Sequence, residues 1–146
     1  MKIHIATDHA GLELKNVIRD YLIEKGHDLT DHGAHEYDAL DDYPDFIFPC
    51  AKAVAADTES CGIILGGSGQ GEAMAANRVK GVRAAVFYNG PKTIVKLSRE
   101  HNNANILSLG ARFMSENEIY DIINYWLEEP FEGGRHQKRI DKLDQE

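Results

Sequence analysis

The stretch "GIILGGSGQGEAMAANR", Gly62–Arg78, passes from a short apolar run through a glycine- and serine-rich turn into a helical pattern. A junction of this kind belongs to a strand-to-helix turn in a parallel α/β sheet, with the turn at the strand's carboxyl end. The sequence on either side repeats the rhythm. Candidate strands "KIHIAT" (2–7), "DLTDHG" (28–33), "CGIILG" (61–66), "RAAVFY" (83–88) and "ILSLGA" (106–111) alternate with helical segments. Leu14, Val17, Ile18, Tyr21 and Leu22 recur at helical spacing, and Gly26 supplies a stop. "DYPDFIFPCAKAVAAD" fits a second helix, with Pro44 or Pro49 in its first turns rather than deep inside. A third helix is expected after Gly71 and a fourth from about Pro91 to His101. The fifth carries the stripe Ile119, Ile122, Ile123, Trp126, Leu127. From about Glu132 the chain is polar and basic, and reads as a tail helix packing across the domain or onto a partner subunit. The expectation is one domain, 1–146, built on an open parallel sheet with helices on both faces.

Composition narrows the class. The chain has 146 residues, 42% hydrophobic and 27% charged, as expected of a soluble globular domain. No apolar run approaches the roughly 18 residues of a membrane span, and "MKIHIATDHAG" lacks a signal-peptide core. A cytoplasmic location is expected. The two cysteines, Cys50 and Cys61, sit in no C-x-x-C or Cys/His ligand spacing and are expected to be structural. A net charge of -8 argues against nucleic acid or an anionic membrane as partner. Against that acidic background, "GGRHQKRID" gathers Arg135, His136, Lys138 and Arg139, enough to hold a small anion.

Ligands of open α/β sheets bind beyond the carboxyl ends of the strands. The residues expected there are Asp8 and His9, the Gly66–Gly71 turn, Asn89 and Gly90, and Gly110 to Arg112. The turn fits none of the common motifs. A Walker loop would end Gly-Lys-Ser/Thr, whereas this one ends Gly71-Glu72-Ala73. A dinucleotide fingerprint would follow the first strand with G-x-G-x-x-G spacing. A nucleophile elbow fails because Gln70 stands where its last glycine should be. A receiver domain would carry an aspartate at the end of the third strand. Two readings of the turn remain open: its glycines permit tight packing, or its N–H groups hold negative charge.

Glu72 favours the second reading in a specific form. A permanent dianion in the turn would be repelled by this carboxylate. A carbon acid whose oxygens become negative only in the transition state would suit it better. Glu72 could then remove a proton α to a carbonyl while the N–H groups stabilise the enediolate. The helix dipole is expected to keep Glu72 ionised. Any permanent charge on the substrate would bind elsewhere, for instance at the arginine-rich tail.

Five segments in order, "ATDHAG" (6–11), "DDYPDF" (41–46), "GGSGQGEAMAANR" (66–78), "REHNNAN" (99–105) and "EGGRHQKRI" (132–140), resemble the type B ribose-5-phosphate isomerases. That family also includes allose- and galactose-6-phosphate isomerases, and the resemblance covers essentially the whole chain. It implies a Rossmann-like α/β/α sandwich, no metal or organic cofactor, and a homodimer or dimer of dimers with active sites shared between subunits. It also implies interconversion of ribose 5-phosphate and ribulose 5-phosphate through an enediolate.

One branch of the family uses a cysteine base at the position of Gly66; the other has glycine there and a glutamate after the loop. Gly66 and Glu72 resemble the glutamate branch, and Cys61 is not the branch-defining cysteine. By the same resemblance Ser68 contacts the sugar oxygens, and the N–H groups of Gly67, Gly69 and Gly71 belong to the anion hole. His101 opens the sugar ring, with help from Asp8, and Asn102 contacts the hydroxyl end. His9, Arg112, Arg135, His136 and Arg139 surround the phosphate, and Tyr43 lies at the site's edge. Two alternatives stand beside this reading: a hexose 6-phosphate as substrate, or a non-catalytic sugar-phosphate-binding module. The first turns on pocket length. The second would have no need of a base.

Overall fold

Short β-branched runs and amphipathic segments alternate along the chain, and each expected strand forms. The computed structural model describes residues 1–145. In chain order the elements are β1 (Lys2–Thr7), a 3-10 turn (His9–Gly11), α1 (Leu12–Glu24), β2 (Asp28–Asp31), α2 (Pro44–Ala56) and β3 (Ser60–Gly66). They continue with α3 (Gln70–Ala76), β4 (Ala84–Phe87), α4 (Thr93–Glu100), β5 (Ile106–Gly110), α5 (Glu116–Glu128) and α6 (Arg135–Ile140).

The sheet has five parallel strands in the order β2-β1-β3-β5-β4. β5 is buried at every residue, which is why "ILSLG" shows no polar alternation. One face packs against α1, α4 and α5 through Ile18, Leu22, Val95, Ile119, Ile123 and Trp126. The other packs against α2 and α3 through Ile47, Cys50, Val54, Ala75 and Ala76. The result is the three-layer sandwich expected. Each fully buried large aliphatic or aromatic side chain contributes about 1.5–3 kcal/mol to holding the layers together.

Three boundaries differ from expectation. α3 starts at Gln70, not after Gly71, because Gly69 takes a left-handed conformation (φ 81°) and serves as the N-cap. Gly71 and Glu72 therefore both lie in the helix's first turn. α2 starts at Pro44, so Pro49 is interior, and the carbonyl of Asp45 loses its intrahelical donor there. β2 stops at Asp31, whose carboxylate is held by the Lys15 ammonium at 2.8 Å and by the Gly33 N–H at 2.9 Å. Lys15 is completely buried, and its charge is compensated by Asp31 and by the Ala34 carbonyl at 2.7 Å.

The polar tail packs across its own domain. The Glu132 N–H donates to the Glu100 carbonyl at 3.1 Å, and the Gly81 N–H donates to Asp144 at 2.9 Å. Cys50 is fully buried and Cys61 half-buried, and desolvation pushes both thiols up, Cys61 to about 12. Among the described residues no helix is long and apolar enough to cross a membrane.

Candidate active site

The order β2-β1-β3 means the chain leaves β1 toward one edge and returns on its other side. The crevice between the carboxyl ends of β1 and β3 is therefore a topological switch point. The Thr7 hydroxyl, donating to the Leu65 carbonyl at 3.0 Å, ties the two strand ends together. Asp8 follows in extended conformation and accepts from the Ala10 N–H at 2.9 Å, capping the 3-10 turn. Its charge acts on Glu72.

His9 is held by Asp41. Oδ1 of Asp41 accepts from the His9 backbone N–H at 3.2 Å and lies 2.6 Å from ring Nδ1. That hydrogen bond, reinforced by the charge of Asp8, raises the imidazole's pKa above its ordinary value; burial and Arg112 oppose the shift. Oδ2 of Asp41 is buried without a partner. Sequence reading assigned Asp41 no role. Its one signal was membership of "DDYPDF", which cannot reveal a contact spanning 32 positions.

The glycines of the turn make room for side chains. A Cβ on Gly67 would come within 3.0 Å of the Arg112 guanidinium, and one on Gly71 within 2.9 Å of the Tyr43 ring. A Cβ on Gly66 would overlap the Glu72 carboxylate. The Ala111 and Arg112 N–H groups donate to the carbonyls of Gly66 and Gly67 at 2.8 and 3.1 Å, bringing the end of β5 against the turn. Ser108 donates to the Gly69 carbonyl at 2.6 Å, and Ser68 accepts from the Gln70 N–H at 3.2 Å. Asp8, His9, Tyr43, Gly67, Ser68, Gly69, Gly71, Glu72 and Arg112 thus share one crevice.

Glu72 is 5% exposed. Burial raises its pKa, and Asp8 adds to the shift; a backbone N–H opposes it. The shift runs opposite to the direction in which the dipole of the seven-residue α3 would move it.

The remaining predicted residues lie elsewhere. α4 runs back from the carboxyl edge of the sheet, so His101, its C-cap, sits at the amino edge. The five-residue β5 alone advances about 16 Å at roughly 3.3 Å per residue. His101 stacks on His136 with ring centroids 4.3 Å apart and planes 16° from parallel. His136 is buried, with Nε2 3.3 Å from Glu132 Oε2, while Asn102, Arg135 and Arg139 are exposed. Within one chain, then, His101 and the tail residues form a second cluster away from Glu72.

Two groups bring potential metal ligands within 4.8 Å of one another: His101 with Glu132 and His136, and Asp8 with His9 and Asp41. Near-parallel stacked imidazoles direct their lone pairs side by side rather than onto one point. In the second group the His9–Asp41 contact is already a hydrogen bond.

The sequence profile described as Ribose/Galactose Isomerase matches residues 3–143. The chain is 45% identical to the probable ribose-5-phosphate isomerase B of Mycoplasma genitalium, over 97% of this chain and 92% of that protein. It is 43% identical to the ribose-5-phosphate isomerase B of Mycolicibacterium paratuberculosis, over 98% and 89% of the two chains. The crystal structure of the Mycoplasma genitalium enzyme with bound ribulose-5-phosphate superposes with a TM-score of 0.92, covering 97% of this chain and 93% of that one.

Proposed function

The chain belongs to the ribose/galactose isomerase family, and from that premise we propose that it interconverts ribose 5-phosphate and ribulose 5-phosphate as a cytoplasmic homodimer. The observation that carries the reading is the buried Glu72 carboxyl, with its raised pKa, in the first turn after an N–H-rich loop. A carboxylate with elevated basicity is a better general base near neutral pH than an exposed one.

In the proposed reaction His101, assisted by Asp8, opens the furanose ring. The Glu72 carboxylate takes the proton from C2 of the aldehyde form. The C2–H electron pair becomes the C1–C2 double bond, and the carbonyl pair moves onto O1. The N–H groups of Gly67 to Gly71 stabilise the resulting enediolate. The Ser68 hydroxyl relays a proton from O2 to O1, and Glu72 returns its proton to C1. Arg112 and His9 meet the phosphate from one side, Arg135 and Arg139 from the other, and guanidinium forks suit its oxygens.

Because Glu72 and His101 lie at opposite edges of the sheet, one chain cannot supply both to one substrate. The proposed site therefore takes His101, Asn102 and the tail arginines from a second copy, across a two-fold interface. Mixing Glu72→Gln with His101→Ala tests this. Each variant alone is expected to be nearly inactive. Random reassociation restores about a quarter of wild-type turnover, because half the dimers are mixed and carry one intact site. No recovery after verified subunit exchange would rule out shared sites. Turnover measured in parallel on ribose 5-phosphate and hexose 6-phosphates decides the substrate, the pentose being expected to win.

A further inference from the structure

A second cavity, of about 450 Å³, opens at the amino edge of the sheet, opposite the glycine turn. That volume lies within the usual range for small-molecule sites. Arg83, Arg99, Asn103, Cys61 and Trp126 line it. None of them has a part in the isomerisation.

Two arginines and the chain's one tryptophan stand in the lining. Arg83 donates from Nε to the Asn103 carbonyl at 2.9 Å and from Nη1 to the Gly81 carbonyl at 3.4 Å. Arg99 donates from Nε to the Glu129 carbonyl at 3.1 Å and from Nη1 to Asn103 Oδ1 at 3.2 Å and to the Ala104 carbonyl at 2.5 Å. All these acceptors are neutral. Among the described residues neither guanidinium forms an ion pair, and Nη2 of each has no protein acceptor. The carboxylates closest in effect, Asp144 for Arg83 and Glu129 for Arg99, act only at a distance. Glu59 also lines the cavity, but it is exposed. Trp126 lies beneath Arg99, 5.6 Å from its guanidinium carbon, and its buried Nε1–H has no partner. Two half-buried cations, of which Arg83 disfavours the charge of Arg99, thus share a cavity in a chain of net charge -8.

We propose that this cavity is a second anion site, for a compact phosphate- or carboxylate-bearing metabolite, and that its occupancy is felt at His101. Guanidinium Nη2 groups left without a protein acceptor and an unpaired indole N–H recognise oxyanions. Trp126 and Leu127 offer an apolar wall to the rest of the ligand. The coupling runs through Asn103. Both arginines hold this residue, it lies two positions after His101, and its backbone is left-handed (φ 45°). An anion drawing on the same guanidiniums alters their hold on that turn. Only this coupling rests on the isomerase reading; binding at the cavity does not.

Trp126 is the sole tryptophan of the chain, so its emission reports on the cavity and not on the glycine turn. The full-length protein is titrated with inorganic phosphate and separately with citrate, at constant ionic strength. A saturable change in emission is expected. Protection of Cys61 from a methanethiosulfonate reagent should follow with the same midpoint. The ligand giving the lower midpoint identifies the phosphate or the carboxylate class. Both signals should persist in Arg112→Ala, which weakens the catalytic phosphate site, and should weaken at least tenfold in Arg83→Gln. If Arg83→Gln does not fold, Arg83→Lys keeps the charge without the fork and should shift the midpoint at least threefold. A flat titration without Cys61 protection overturns the site. So does a signal lost in Arg112→Ala but kept in the Arg83 variants. With substrate saturating, kcat should change with the same midpoint; an unchanged kcat overturns the coupling to His101 and leaves both the cavity and the isomerase reading standing.

Discussion

Gly66 leaves the space that the Glu72 carboxylate fills: a Cβ on residue 66 would overlap the carboxyl group itself. The two positions are mutually exclusive as side-chain sites. A chain can keep a reactive side chain at 66, or a carboxylate folded back from 72, but not both in these places.

Gly66→Ala should therefore displace Glu72 without unfolding the domain, since a methyl group alters the β3 end very little. Activity is expected to fall by about 10²-fold, the order seen when a positioned proton-transfer group is lost. Steady-state kinetics with circular dichroism as a fold control check it. Near-normal kcat would show that the position of the Glu72 carboxylate does not matter to turnover.

The raised pKa of Glu72 makes two opposite demands on pH. As a base it must be ionised, so kcat/KM should fall as pH drops through its elevated value, above the ordinary 4.5. For stability the sign reverses. A carboxyl whose folded pKa is raised favours the folded state while protonated, and that advantage is lost as pH rises through the folded value. Glu72→Gln mimics the protonated form. It should melt higher than wild type at pH 8, with the gap closing below pH 4.5, while isomerisation is abolished and sugar-phosphate binding persists. Thermal melts across pH, together with turnover, test both halves.

Asp41 keeps His9 oriented and favours its charged form. Asp41→Asn removes that bias, so the imidazole loses its proton at lower pH. KM for the sugar phosphate should rise roughly 3–10-fold at pH 8, the scale of one lost polar contact, and recover toward pH 6. The kcat should change little. A KM shift independent of pH would mean that Asp41 acts by shape alone.

Lys15 and Asp31 form a buried pair joining α1 to the end of β2. Lys15→Ala leaves the Asp31 carboxylate with the longer Arg19 contact at 3.4 Å and the Gly33 N–H, so the loss should fall below the about 3–5 kcal/mol of a fully broken buried pair. Urea denaturation should show that loss, while Lys15→Met, which also fills the volume, tests how much of it is cavity rather than charge.

Much of this protein is legible in its sequence. Continuous Ile and Val runs imply strands buried on both faces, and the helical stripes between them force a parallel sheet with two helical layers. Both follow from periodicity, which is a local property. The turn at Gly66–Gly71 and its carboxylate could be recognised because strand, loop and helix are consecutive in the chain. Helix ends were less legible: Gly69 shifted the start of α3, and Pro49 is tolerated inside α2 by packing that no local rule contains.

What tertiary structure alone decided is who stands beside whom. Strand order brings Asp8 to Glu72, and burial at that crevice raises a carboxyl pKa that the helix dipole was expected to lower. The pairing of Asp41 with His9 depends on two loops meeting, and nothing in either segment announces it. The direction of α4 carries His101 to the opposite edge from Glu72, so residues that one motif-by-motif reading joins in a single site cannot meet within one chain. Periodicity determines what each segment becomes; strand order and burial determine which charges share a dielectric, and therefore which chemistry the site can perform.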